Sequence, residues 1–268
     1  MKRYFSIPAH EAVFPGGNSD WKSAVPASMK RRDARIWQMA YAAAAPVVDK
    51  CAGTPPRSTI VGTALGALEE TRQFLEGVFT DGLGSPRNFI SSVHNSIAGK
   101  LALEFKIRGP NLTVCDSHNS FASAIITADL LTERDFPVLV CIVDERIALL
   151  DELQPHFSHR CLPYLAENWE EAAVAFMLDT AGAGGNRLRA FGPGCTQRRD
   201  PEAVCRAIIE RELPGYAGAF VLNETTASFV QPATAAAAHL DTGSGRAIIG
   251  SFSPTSGAVA LVEVIRAA

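Results

Sequence analysis

Residues Phe136–Val143 (FPVLVCIV) form an eight-residue run with no charged side chain and several β-branched ones. A run this short cannot span a bilayer, which takes roughly 20 apolar residues. A strand that is apolar on both faces must be covered on both faces. The chain therefore has to supply layers above and below a sheet that contains this strand.

The rest of the sequence offers that material in alternation. Spacing predicts a helix over Asp33–Cys51, ended or kinked near Pro46. A β-branched strand at Ser58–Leu65 leads through Gly66 into the amphipathic segment EETRQFLEGVF. A buried strand is expected at Leu112–Cys115, a helix over Phe121–Arg134 and another buried strand at Ala172–Leu178. AGAGGN at Ala181–Asn186 reads as a linker, after which the order restarts. A strand at Arg187–Phe191 precedes a helix over Asp200–Leu213, opened by Asp-Pro, then strands at Ala219–Leu222, Ala247–Phe252 and Ala258–Ile265. The fold class is α/β, in two unequal halves with right-handed βαβ units and a parallel sheet.

Composition narrows the function classes. With 47% hydrophobic residues and a net charge of -3 over 268 residues, the chain is too apolar for disorder and has no overall pull toward nucleic acid. Six cysteines without a CxxC pair indicate reduced thiols in a cytoplasm. The basic start MKRYFSIPAHEAV is interrupted by Pro8, His10 and Glu11 before a signal-peptide core can build, and no run reaches the length of a membrane span. A soluble cytoplasmic protein without a cofactor is expected. His156, His159 and Cys161 lack a fourth ligand at zinc-site spacing, and GTALGALEE (Gly62–Glu70) lacks a phosphate-loop signature, so its glycines are read as a tight turn.

Asn88–Glu145 carries the most specific pattern: Asn95, Ala98 and Gly99 on a helix, then Gly109-Pro110, the strand Leu112–Cys115 and the helix from Phe121. It resembles the N-terminal half of a β-ketoacyl synthase of the thiolase-like superfamily, and SVHNSIAG resembles the short chain-length-factor proteins of aryl polyene clusters. SFSPTSG (Ser251–Gly257) and the following AVALVEVI resemble the loop and strand that close the family's pocket. The resemblance implies duplicated αβαβα layers with a shortened C-terminal half. It implies a single domain over 1–268, with halves of about 1–185 and 186–268.

The family's chemistry needs a cysteine thiolate at a helix N-terminus, where the macrodipole and free N–H groups lower its pKa and hold an oxyanion. It also needs two histidines. An ungapped match of GPNLTV puts His118 at the nucleophile position, and an acyl-imidazole hydrolyses readily. Asn223 stands near the first histidine position, and the segment with the second is expected to be missing. His118 can be a pocket-filling residue, a hydrogen-bond donor reading an acyl chain or partner, or a general base. Cys115 is a low-ranking displaced nucleophile, and Ser117 and Ser120 are N-cap candidates.

By resemblance, then, the chain is a degenerate, non-catalytic synthase subunit, a chain-length factor. It would pair with an active ketosynthase through the edge strand Leu112–Cys115 in polyketide, aryl polyene or fatty-acid-like biosynthesis. Phe89, Cys115, His118 and Phe121 would line the tunnel or interface. The basic run Lys30, Arg31, Arg32 and Arg35, helped by Lys100, Lys106 and Arg108, is either a solvated face or a docking surface for an acidic acyl carrier protein. The alternatives are an acyltransferase or thioester hydrolase using Cys115 or His118, and a homodimeric acyl-binding scaffold.

Overall fold

The computed structural model describes residues 3–16, 20–157, 170–180, 185–196, 200–222, 228–254 and 256–267, with the side chains of residues 32, 154–157 and 193 left aside. The first half runs β1 (Phe5–Val13), α1 (Ala27–Arg32), α2 (Arg35–Lys50), β2 (Ser58–Thr63), α3 (Leu68–Asp81), α4 (Pro86–Ser92), α5 (Ser96–Glu104) and β3 (Asn111–Cys115). It continues with α6 (Ser120–Ala128), β4 (Val138–Asp144), α7 (Ala148–Phe157) and β5 (Ala172–Asp179). The second half runs β6 (Arg187–Cys195), α8 (Pro201–Glu212), β7 (Ala219–Leu222), α9 (Gln231–Thr242), β8 (Arg246–Ser253) and β9 (Ala258–Ile265).

The described strands form one mixed sheet in the order β3-β2-β4-β5-β1-β6-β9-β8-β7. The two halves repeat one wiring. β4 and β2 are parallel, as are β8 and β7; β5 is antiparallel to β4 and β1, as β9 is to β8 and β6. The antiparallel pair β1–β6 joins the halves. β3 and α5 have no counterpart among the described residues of the second half, which is the shortening that the resemblance implied.

Layering follows from strand alternation. Val138, Val140 and Ile142 face a central core, while Leu139, Cys141 and Val143 face α2 and α5. The central core is shared: Phe121 and Ile125 of α6 join one cluster with Val230, Ala233 and Leu240 at and along α9 and with inner-face residues of both halves. α8 covers the outer face of the second half. The duplicated, layered α/β architecture is therefore present.

Several local expectations change. α2 runs through Pro46, because the face that carries Met39, Ala43 and Val47 is completely buried and holds the helix together past the missing donor. β3 is an open edge with exposed Leu112 and Cys115, not a buried strand. α6 stops at Ala128, where the chain leaves for a short 3-10 turn held by a Thr132–Asp135 capping box. The linker at Ala181–Asn186 lies mostly outside the described residues.

Candidate functional site

The site is built at the ends of β2, β3 and β4. β3 finishes at Cys115, and a single 3-10 turn (Ser117–Asn119) carries the chain into α6. Ser117 has φ 50°, a left-handed conformation that a side chain adopts at a cost of order 1 kcal/mol or more. The strain turns the chain sharply enough to point His118 inward, where it is fully buried.

Side-chain bonds fix this turn. Ser120 Oγ donates toward the carbonyls of Thr63 (3.0 Å) and Ser117 (2.7 Å) and accepts from the Asp116 N–H (3.0 Å). Asp116 accepts from Ser123 Oγ at 2.6 Å. Asn119 Nδ2 donates to the Ala258 carbonyl (3.2 Å), and its Oδ1 accepts from Ser251 Oγ (2.7 Å). These two bonds tie the start of α6 to β8 and β9. The N-cap expectation fails for both serines: Ser120 is the first helical residue and bonds β2, and Ser117 Oγ sits 3.3 Å from His118 Nδ1. A side chain at Gly62 would collide with the Ser120 carbonyl at 2.9 Å, so the glycine lets α6 reach β2.

Above His118 lies an apolar cover. The Phe229 ring meets the imidazole at a centroid distance of 4.6 Å. Phe229 clusters with Ile147 and Leu150, and Ala64, Leu65 and Leu68 pack around them. The part of the second half that was expected to be missing is thus partly present: residues 228–242 enter α9, with Phe229 opposite His118. Asn223 lies outside the described residues.

Cys115 stands apart from His118 on the open edge. Its Sγ lies 3.2 Å from the Ala64 carbonyl. Burial of part of the group, followed by the charges of Asp144 and Asp116, pushes the thiol up from its ordinary range, the reverse of what a thiolate nucleophile requires.

Two acids at the end of β4 escaped the sequence reading, although an Asp-Glu pair closing an apolar run is a visible signal. Asp144 is buried and accepts from Thr63 Oγ1 (2.7 Å) and the N–H groups of Ala64 and Leu65 (2.9 and 2.8 Å), which fixes the loop that covers His118. Burial raises it to about 6 against those bonds. Glu145, 3% exposed, is raised to about 8 by burial, with Arg35 opposing. Gly66, at φ 63°, makes the tight turn expected there and packs against His94.

The proposed docking run divides. Lys30 and Arg31 are exposed on α1, and the Arg32 side chain is outside the description. Arg35 is withdrawn from the surface run: it makes a two-pronged pair with Glu171 and comes 3.9 Å from Glu145. Lys100 is likewise engaged, by Asp33 and Glu104. Lys106 and Arg108 lie at the opposite end of the sheet, ahead of β3. Phe89 is exposed on α4, and Phe121 is fully buried against Phe176 at 5.3 Å. His159, Cys161 and the His156 side chain lie outside the described residues. Among the described residues no three potential ligands group to hold a metal, and no helix is long and apolar enough to cross a membrane.

Comparison with known proteins then bears on the fold. Residues 7–190 match the family model described as beta-ketoacyl synthase, N-terminal domain. No curated protein matches the chain by sequence. Among solved structures, the ishigamide ketosynthase/chain length factor superposes with a TM-score of 0.80 at 18% identity, covering 98% of this chain and 99% of that one. The complex of the ketosynthase ApeO with its chain length factor ApeC, from Xenorhabdus doucetiae, gives 0.61 at 16%, covering 99% and 100%. The type II polyketide assembly AntDE:AntF, an acyl-carrier protein with its ketosynthase, gives 0.78 at 12%, covering 99% and 100%.

Proposed function

We propose, since this chain belongs to the beta-ketoacyl synthase family through its N-terminal domain, that it serves as a chain-length factor, a non-catalytic subunit beside an active ketosynthase. The observation that carries the reading is His118. By the GPNLTV match an imidazole stands at the family's nucleophile position, and it is buried beneath Phe229 and its apolar neighbours. A buried aromatic pair fills space and does not receive an acyl group.

The open edge supports a partner. Pro110 O accepts from Thr59 N, so by alternation the N–H groups of Asn111, Thr113 and Cys115 point away from β2, without a backbone partner among the described residues. Unpaired edges invite strand addition. α5 packs on β3 and α4 on α5, and α3, α4 and the loop between them expose Phe79, Leu83, Phe89 and Ile90. An apolar surface of that kind next to an open strand suits a permanent subunit interface. Phe89 and Cys115 are the residues proposed to face the interface, with His118 and Phe121 filling the space behind it. The solved chain length factor complex pairs with a ketosynthase, and the solved polyketide assembly includes an acyl-carrier protein; both partners are proposed for this chain. Lys30, Arg31 and Arg32, near the end of the sheet where Arg35 reaches Glu145, are the proposed carrier contact. The free thiols among the described residues suit a reducing, cytoplasmic setting.

Co-expression with a candidate ketosynthase, followed by mass spectrometry after incubation with an acyl thioester, tests the reading. A stable one-to-one complex is expected, with acyl adduct on the partner only. Adduct on this chain that is lost in Cys115→Ala or His118→Ala would establish the acyltransferase alternative. A self-sufficient homodimer would favour the scaffold. Charge reversal at Lys30 and Arg31 is expected to weaken carrier binding in a salt-sensitive way; unchanged affinity assigns those charges to a solvated face.

A further inference from the structure

Opposite the His118 end, the N-terminal ends of β2, β3 and β4 enclose a depression of about 390 Å³ lined by Pro56, Arg57, Lys106, Arg108, Arg134 and Asp135, with Gly109 at its base. We infer that this depression is a binding site for a small phosphate-bearing polyanion.

The charge balance is the first reason. Four cations meet one acid here: the charge of Arg134 acts on its neighbour Asp135, while Arg57, Lys106 and Arg108 form no ion pair among the described residues. Nearby carboxylates are engaged: Asp135 accepts from Thr132 N and Oγ1 (2.9 and 2.5 Å), Glu133 pairs with Arg3 (3.1 Å) and Glu104 with Lys100 (3.0 Å). Several other cations of this chain carry acids, as in Arg72 with Glu69 and Glu76, or Arg206 with Glu202. In a protein of net charge -3, a local excess of positive charge of this kind suits an external anion.

The backbone is the second reason. Arg57 N donates to Pro137 O (2.8 Å), and Gly109 N to Arg57 O (2.9 Å), so the segments carrying Arg57 and Arg108 are pinned together. A Cβ at Gly109 would lie 2.3 Å from the Arg57 carbonyl, which keeps the base of the depression free of side chain. Lys106 sits at φ 56° as the left-handed residue that ends α5, with Ile107 N donating to Ala102 O (2.8 Å), and this cap fixes where the lysine leaves the helix. The guanidinium of Arg57 also touches Arg134 O at 3.3 Å, joining the two sides.

Three arginines from three separate segments can each offer paired N–H groups to phosphate oxygens, and a lysine adds a compact charge. The concave shape and a volume within the range of small-ligand pockets favour a small molecule over a protein face. The inference stands apart from the chain-length-factor reading, since it uses none of the same residues except Lys106 and Arg108, which that reading gave only an auxiliary role.

Titration calorimetry of the full chain with inorganic pyrophosphate, without divalent cations, tests it at low and moderate salt. Saturable binding is expected, weakening several-fold as salt rises. Lys106→Gln/Arg108→Gln should lose at least tenfold in affinity, while Arg206→Gln/Arg211→Gln, which changes net charge equally, should lose less than twofold. Both doubles alter exposed side chains, and urea midpoints within error of the parent protein verify folding. Absence of saturable binding, or equal losses in the two doubles, overturns the inference. So does carrier-protein binding that depends on Lys106 and Arg108 and that pyrophosphate cannot displace, because the depression would then be a protein contact.

Discussion

Glu145 is a carboxyl that the fold keeps from ionising. Its ordinary value of 4.5 rises to about 8 because burial outweighs Arg35, and Glu171, Glu70 and Glu69 add repulsion. Between pH 4.5 and 8 the folded protein keeps a proton that the unfolded chain has released, so this group's contribution to stability falls as pH rises through that window. The slope approaches about 1.4 kcal/mol per pH unit. Asp144, raised from 3.8 to about 6, works in the same direction at lower pH. Glu145→Gln is therefore expected to match the parent near pH 5 and to exceed it by a few kcal/mol at pH 8, read as urea midpoints at the two pH values. Parallel curves for the two proteins would mean that Glu145 is ionised throughout. Glu263 is a buried carboxylate set against cations. It is fully buried on β9, with Arg189 Nε at 2.6 Å, Arg246 Nε at 2.8 Å and the Tyr4 hydroxyl donating at 2.8 Å. Glu263→Gln would leave two guanidinium groups facing an amide, with an expected loss of about 3–5 kcal/mol in thermal or urea unfolding. A loss below about 1 kcal/mol would place the pair effectively in solvent.

At the level of elements, β3 is the part whose role is easiest to isolate. Thr113→Pro removes an N–H that points away from β2 and puts a ring on the open edge, leaving the bonds to β2 in place. It is expected to abolish one-to-one complex formation with the ketosynthase in size-exclusion chromatography while the isolated chain keeps its circular dichroism. Unimpaired pairing would move the interface away from this edge. The same scale explains what could be read in advance. β4 and β9 were legible because buried strands are continuous apolar runs, and α8 because Asp200 caps it and Pro201 opens it. β1 was not, although it sits where the halves meet. Pro8, His10 and Glu11 break its pattern, and a register irregularity between Ser6 and Ala9 turns Phe5 and Ile7 to the central core but Ala9 and Val13 to the outer one. α9 was also hidden, since its buried face is mostly alanine and shows no contrast in hydropathy. The candidate site divided similarly. His118 followed from a local motif, whereas Phe229 and Ser251 reach it from more than a hundred residues away, a proximity that only the folded topology creates.

At the scale of the molecule, the repeated wiring raises the question of whether the two halves are two folding units. The central core argues for one. α6 and α9 both bury residues in it, among inner-face residues of both halves. β1–β6 pairing and the Asn119–Ser251 bond cross the same boundary. All three tryptophans, Trp21, Trp37 and Trp169, belong to the first half by sequence, so their fluorescence reports on that half while circular dichroism reports on the whole. Ala236, fully buried on α9, has no room for a longer side chain without displacing its neighbours. Ala236→Leu overpacks the shared core from the second half and should cost about 1–3 kcal/mol. If the core is common, tryptophan fluorescence and circular dichroism will move together to the same lower urea midpoint in one transition, although the substitution lies in the half that has no tryptophan. A fluorescence midpoint that stays in place while circular dichroism shifts would show that the halves unfold separately.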